Sequence, residues 1–145
     1  MQVRLATSSD KPQILSLFDE FSILLQAKDV PSQVGGAVFD EVIKRDDTKI
    51  FVADDNGKLI GLATLYFLPN IRHGWHRGHI EDFFITATSR SKGVGTQLFA
   101  AIKEYCRKKN IHVIKLDSEK DLLTSHAFYE KNGGTFTEKM FRFDL

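Results

Sequence analysis

Apolar positions along the chain change period several times, and each change marks an element. Gln2–Ala6 alternates and predicts a short strand. Ser8, Ser9 and Asp10 then offer helix caps, and Pro12 suits a first helical turn. Ile14, Leu17, Phe18, Phe21, Leu24 and Leu25 recur at helical spacing. Pro31 and Ser32 open a second, poorer helix anchored by Phe39, Val42 and Ile43, with Gly35 and Gly36 blurring its start. Lys49–Asp54 and Leu59–Leu68 read as two strands around a hairpin turn, Asp55-Asn56-Gly57-Lys58, and Pro69-Asn70 stops the second. A polar loop, Ile71–Gly78, leads to a strand ending at Ile85. Val94, Leu98, Ile102 and Tyr105 mark one face of a long helix, which Arg107, Lys108, Lys109 and Asn110 close. Ile111–Leu116 is a strand and Ser125–Lys131 a short helix ended by Asn132-Gly133-Gly134. Thr135–Phe143 is a last strand region, split around Glu138-Lys139. The order is β-α-α-β-β-β-α-β-α-β, a mixed α/β or α+β chain.

With 145 residues the chain is expected to form a single domain, 1-145, with one sizeable core. A net charge of +1 argues against a broad nucleic-acid footprint. Cys106 is the sole cysteine and cannot form an internal disulfide, so a reducing, cytoplasmic setting is expected. No apolar run is long enough to span a membrane, and no basic-then-apolar leader opens the chain.

The densest chemistry lies between the strand ending at Ile85 and the long helix. The stretch Ile-Thr-Ala-Thr-Ser-Arg-Ser-Lys-Gly-Val-Gly-Thr carries Arg90, Gly93 and Gly95 at a strand-to-helix turn. Helix N-termini expose N–H groups without intrahelical partners, and glycine lets a phosphate come close to the backbone. Arg90 and Lys92 add positive charge, so the turn suits a pyrophosphate. It is no Walker A loop, because no Gly-Lys-Ser/Thr follows, and no dinucleotide fingerprint, because the third glycine is missing.

Arg-x-x-Gly-x-Gly after a strand resembles the acyl-CoA signature of the GNAT superfamily of N-acetyltransferases, and the element order resembles the GNAT fold over essentially the whole chain. The resemblance implies acetyl-CoA as co-substrate, held by Phe84, Ile85, Arg90, Ser91, Lys92, Gly93, Val94, Gly95 and Thr96, with no metal. A second block, Ser-His-Ala-Phe-Tyr-Glu-Lys-Asn-Gly from Ser125, resembles the family's Ala-x-x-Phe/Leu-Tyr-Glu-Lys-x-Gly-Phe. It makes Tyr129 the candidate that protonates the departing thiolate. Asn132 and Gly134 depart from the pattern, where an apolar residue and a phenylalanine are usual. A third block, Gly78-His79-Ile80-Glu81-Asp82, resembles the Ile/Leu-Glu-Asp strand of glucosamine-6-phosphate and diamine N-acetyltransferases. Chain length, the Ser125 block and the Phe141-Arg142-Phe143 ending also resemble aminoalkylphosphonate N-acetyltransferases. The usual Pro-Glu before the signature arginine is replaced by Ala87-Thr88-Ser89.

Acetyl transfer to an amine needs a neutral amine, and one of pKa about 10.4 is neutral only about once in 2,500 molecules at pH 7. A base is therefore expected. On a regular strand His79, Glu81, Phe83 and Ile85 share one face, while Ile80, Asp82 and Phe84 share the other. Glu81 among apolar neighbours would have its pKa raised by desolvation and is the first candidate; His79 on the same face competes. Asp82 is a structural carboxylate or a substrate contact. Arg72, His73, His76 and Arg77 form a basic stretch that suits an anionic substrate group, with Arg77 the nearest to the strand. A solvated basic loop is the plainer reading. The expected partner is a small-molecule primary amine, attacked directly in a ternary complex, with no nucleic acid and no membrane; a homodimer is allowed. Two other readings stay open: acetylation of a protein lysine or N-terminus, and a non-catalytic acyl-CoA sensor.

Overall fold

The structure is a computed structural model, and it describes residues 1–25, 32–138, 140, 141, 143 and 144. Two compact units divide the chain, Met1–Lys115 and Leu116–Leu145. The expected helix start at Pro31, and Lys139 and Arg142 of the expected final strand, lie outside the described residues.

In the first unit β1 (Gln2–Leu5) leads through a single 3-10 turn to α1 (Lys11–Leu24), which begins with Pro12 in its first turn. Then follow α2 (Ser32–Val42), β2 (Thr48–Asp55), β3 (Lys58–Asn70), β4 (Trp75–Ile85), α3 (Val94–Lys108) and, at the boundary of the two units, β5 (Ile114–Leu116). The sheet runs β1-β2-β3-β4-β5, and β1 to β4 pair antiparallel. The hairpin between β2 and β3 closes on Asn56 and Gly57, both left-handed with φ 55 and 88, as a two-residue type I′ turn requires. From β4 the chain crosses through α3 to β5, the connection parallel neighbours need. Gly78 N–H, donating to Val113 O at 2.9 Å, marks where the β5 segment meets β4.

The register assigns the two faces. Directly opposed residues lie on one face, so Val52, Leu62 and Phe84 share a side. They pack against Ile14 and Leu17 of α1 and Phe39 of α2, with Val42 and Ile43 at the margin. The opposite side meets α3: Phe51 touches Tyr105 edge-on, Phe83 touches Phe99, and Leu98, Ile102 and Cys106 are buried. Each such aliphatic or aromatic side chain contributes about 1.5–3 kcal/mol on burial.

β5 begins at Ile114 rather than at the expected Ile111, and three larger differences from the expected strands stand beside it. β3 does not stop at Pro69. Phe67 N–H donates toward β2, to Asp47 O at 2.8 Å, and Pro69 two residues later points the same way, beyond the end of β2. Its missing N–H therefore removes no ladder bond. β4 consequently begins at Trp75, and the expected loop Ile71–Gly78 shrinks to Ile71–Gly74, with Gly74 at φ 70. Third, Thr135–Phe143 forms no strand among the described residues. Its alternation is right for a strand, but a strand also needs a ladder partner; Phe136, Phe141 and Phe143 are exposed.

The second unit is built on α4 (Leu123–Lys131). It ends in a Schellman motif: Gly134 N–H donates to Tyr129 O and Gly133 N–H to Glu130 O, each at 2.9 Å, with Gly133 at φ 90. A Cβ at Gly134 would meet Tyr129 O at 3.0 Å, which accounts for glycine where the family pattern has phenylalanine.

A charge network ties β1, the turn before α1 and β2 together. Arg4 holds Asp10 in a bidentate pair, 2.8 Å on each arm, and reaches Asp54 at 2.9 Å. Asp10 also accepts from Thr7 N at 2.7 Å. The Arg4 guanidinium holds the Asp10 carboxyl well below the usual carboxylate range, against a smaller opposing effect of burial. A depressed folded-state pKa stabilises above the unfolded value, near 3.9, and that stability is lost as pH falls through the folded value. Asp10→Asn should therefore cost about 2 kcal/mol near neutral pH. Chemical denaturation at several pH values should show the gap between the variant and the native protein closing below about pH 4.

Candidate active site

Strand β4 does not alternate evenly. Thr64 opposes Asp82 while Leu65 opposes Ile80, so Glu81 has no partner on β3 and forms a bulge. Before the bulge, His79 faces Tyr66; after it, Asp82 faces Thr64. Thr64 and Tyr66 are two apart and share a face, so His79 and Asp82 stand on that same face. The even alternation expected from sequence, which set His79 with Glu81 against Asp82, is corrected by this one extra residue. The shared face is the α1 side of the sheet, and Arg77, opposite Leu68, continues it toward the hairpin tip.

The carboxylates differ in setting. Glu81 is 62% exposed, so the apolar surroundings expected for it are absent; its Oε2 lies 3.2 Å from His79 Nε2. Asp82 carries the desolvated carboxyl. Thr64 Oγ1 donates to Asp82 Oδ2 at 2.5 Å and accepts from Asp82 N–H at 3.0 Å. Burial raises the Asp82 pKa, the Thr64 hydrogen bond opposes the rise, and the Glu81 charge adds to it. Tyr66 is likewise pushed up, mainly by burial, with the charges of Asp82 and Glu81 contributing. Sequence reasoning had no access to Thr64 and Tyr66. They sit in an apolar run, and only the register shows what they oppose.

At its end β4 comes very close to β3. A Cβ at Gly61 would meet Ile85 Cδ1 at 2.5 Å and Phe84 O at 2.9 Å. Phe84 stacks on Phe21 of α1, ring centroids 5.1 Å apart. Thr86 N–H donates to Ile60 O, and Ala87 N–H to Glu20 Oε1 of α1 at 3.1 Å. Glu20 thus anchors the turn after β4.

The Arg90–Thr96 turn is set by two left-handed residues, Ser91 at φ 59 and Gly93 at φ 80. Gly93 is the N-cap of α3, with no side chain capping it. Gln97 N–H is the first to bond back, to Gly93 O at 3.0 Å, so the N–H groups of Val94, Gly95 and Thr96 have no partner within the helix. Val94 is buried and fixes the first turn, while Lys92 and Thr96 are exposed. Arg90 folds back: its Nε donates to Ile85 O at 2.9 Å and its guanidinium lies over the Phe84 ring, 5.6 Å from the centroid. Lys92, Val94 and Gln97 border a cavity of about 380 Å3 shared with Ile60 and Asp55 of the β2–β3 hairpin. Such an end attracts anions through its open donors and the helix dipole. Tyr129 belongs to the second unit, where burial pushes its phenol up to about 12.

The acetyltransferase (GNAT) family model matches residues 14–134. The chain belongs to this family. As a GNAT protein it is an N-acetyltransferase. The uncharacterized N-acetyltransferase YhfO of Bacillus subtilis (strain 168) is 29% identical over 92% of the chain and 89% of its own length. A glucosamine 6-phosphate N-acetyltransferase of Trypanosoma brucei brucei is 34% identical over 68% of the chain and 65% of its own length. A crystal structure of an acetyltransferase from Trypanosoma brucei is similar over 99% of both chains, with TM-score 0.76 and 31% identity.

The contact at Gly61 bears on the GNAT strand end directly. Gly61→Ala should push against backbone that cannot yield and cost about 1–3 kcal/mol. A lowered thermal midpoint, with amide chemical shifts moving most at Phe84 and Ile85, is the expected result.

Proposed function

We propose that the protein transfers acetyl from acetyl-CoA to the primary amine of a small molecule that also carries an anionic group. The observation that carries this reading is the row Arg77, His79, Asp82 on one face of β4, a cation in line with a desolvated carboxyl. By strand rise, the Thr64 and Leu68 positions that oppose Asp82 and Arg77 lie about 13 Å apart. An amine at Asp82 and an anion met by the long Arg77 side chain suit an acceptor that holds the two groups apart. From Leu68 to Ile80 the hairpin carries Arg72, Arg77 and three histidines and no carboxylate, which disfavours a second ammonium group. The glucosamine 6-phosphate activity named for one relative fits the same chemistry.

In this reading the pyrophosphate of acetyl-CoA takes the open N–H groups of Val94, Gly95 and Thr96, with Lys92 adding charge. The end of β4 at Phe84–Ile85 supplies a backbone donor for the oxyanion. A group on β4 accepts the amine's proton, and Tyr129 protonates the thiolate; a phenol of pKa about 12 is fully protonated at neutral pH. The family match crosses the boundary between the two units, which supports one domain over 1-145. No helix among the described residues is long and apolar enough to cross a membrane, and a cytoplasmic setting rests on the single cysteine.

A thiol-release assay against amino-sugar phosphates, aminoalkylphosphonates, diamines and lysine peptides tests the reading. Anionic amines should exceed diamines in kcat/KM, and Arg77→Ala should narrow the gap. Preference for diamines or for lysine peptides would refute the substrate class. Tyr129→Phe should lower kcat about 10²-fold while CoA affinity by calorimetry stays nearly unchanged. Full turnover in that variant would remove Tyr129 from the chemistry.

A further inference from the structure

Thr64 is a hydroxyl in a buried stretch of β3, where an aliphatic residue would pack as well. Its hydroxyl is wholly committed to one neighbour, donating to Asp82 Oδ2 and accepting from Asp82 N–H. This two-point hold exists because the Glu81 bulge turns Asp82 toward Thr64. We propose that Thr64 and Asp82 act as one proton-accepting unit for the acceptor amine, with Asp82 as the base and Thr64 as its positioning residue. The proposal rests on the amine-acetylation reading above and assigns the base within it.

The protons balance as follows. The Asp82 carboxylate takes one proton from the substrate ammonium. The freed lone pair forms the N–C bond at the thioester carbonyl, and the C–S bond breaks as the intermediate collapses. The second proton leaves nitrogen to water. The thiolate receives a proton from Tyr129, whose phenolate recovers one from water. Asp82 then loses its proton to solvent.

Asp82 suits this work better than Glu81 because it is held by Thr64 and desolvation raises its pKa, while the residue is not fully buried. Several titratable groups lie near it among the described residues. Tyr66 is on β3, and His79 and Glu81 are on β4. On β5, Ile114 lies against the α3 side at Gly78, so Lys115 alternates onto the Asp82 side. From α1 Glu20 reaches the end of β4, accepting from Ala87 N–H, and the apolar contacts of α1 and α2 on this face are Ile14, Leu17, Phe18, Phe21, Phe39, Val42 and Ile43. Thr64 favours the charged carboxylate; Glu81 disfavours it.

Two signs follow. Thr64→Val removes the stabilising hydrogen bond, so the acidic limb of kcat/KM should move to higher pH by about one to two units. Thr64→Ser should restore it. Glu81→Gln removes a repelling charge, so the limb should move to lower pH. His79→Gln, run in parallel, shows whether any part of the limb belongs to imidazole. The same shift should appear without substrate in the carboxyl 13C titration of Asp82, assigned by its loss in Asp82→Asn. A limb that is unmoved in Thr64→Val, or abolished in Glu81→Gln, overturns the assignment while the acetylation reading stands. No turnover of any amine by the native protein, with the carboxyl titration still responding to Thr64→Val, overturns both the base role and that reading.

Discussion

One unpaired residue, Glu81, governs how strand β4 serves two layers at once. On an evenly alternating strand Ile80 and Phe84 would point the same way. Here Ile80 opposes Leu65 on the α3 side, and Phe84 joins Ile14, Leu17 and Phe39 on the other. A bulge adds one residue to one strand and reverses the facing of everything beyond it. Removing it would either strip Phe84 from the α1 core or turn Ile80 out of the α3 core. The polar arrangement follows from the same residue: Asp82 reaches Thr64 and shares a face with His79, while Glu81 is left exposed.

The end of β4 is held with unusual closeness from several sides. Gly61 lets β3 approach, Phe21 stacks on Phe84, and Glu20 accepts from the turn at Ala87. Arg90 closes the assembly from the far side by bonding Ile85 O. These contacts fix where α3 begins relative to the strand. Open helix-end donors bind an anion well only when their position is rigid, because any ordering left undone is subtracted from affinity. The signature arginine therefore serves the backbone here: its guanidinium steadies the strand-to-helix corner, and the helix end presents the N–H groups.

Charge is distributed by strand. The Arg4, Asp10 and Asp54 network lies at the β1–β2 side and is mutually satisfied. The β3–β4 hairpin tip carries Arg72 and Arg77 without a nearby carboxylate in sequence. Asp82 stands between that cationic end and the α3 turn along β4. On a face graded in this way, like charges brought together across partly desolvated surface repel more than they would in water.

Much of this was legible in the sequence. The hairpin at Asn56-Gly57 was readable because that turn demands left-handed residues, and α3 was readable from its apolar spacing. The strand-to-helix turn at Arg90–Thr96 was readable as glycines between a strand and a helix, a local pattern that needs no distant partner. The glycines that end α4 belong to the same class. What sequence could not supply was everything set by pairing. The bulge depends on the register of β4 against β3, so Asp82 changed sides, Glu81 became exposed, and Thr64 entered the site. The continuation of β3 through Pro69 depended on where β2 begins, and the segment after Gly134 had strand-like alternation but forms no strand among the described residues. Local preferences select which elements can form; which side chains meet is decided by long-range hydrogen bonding, where a shift of one residue inverts a face.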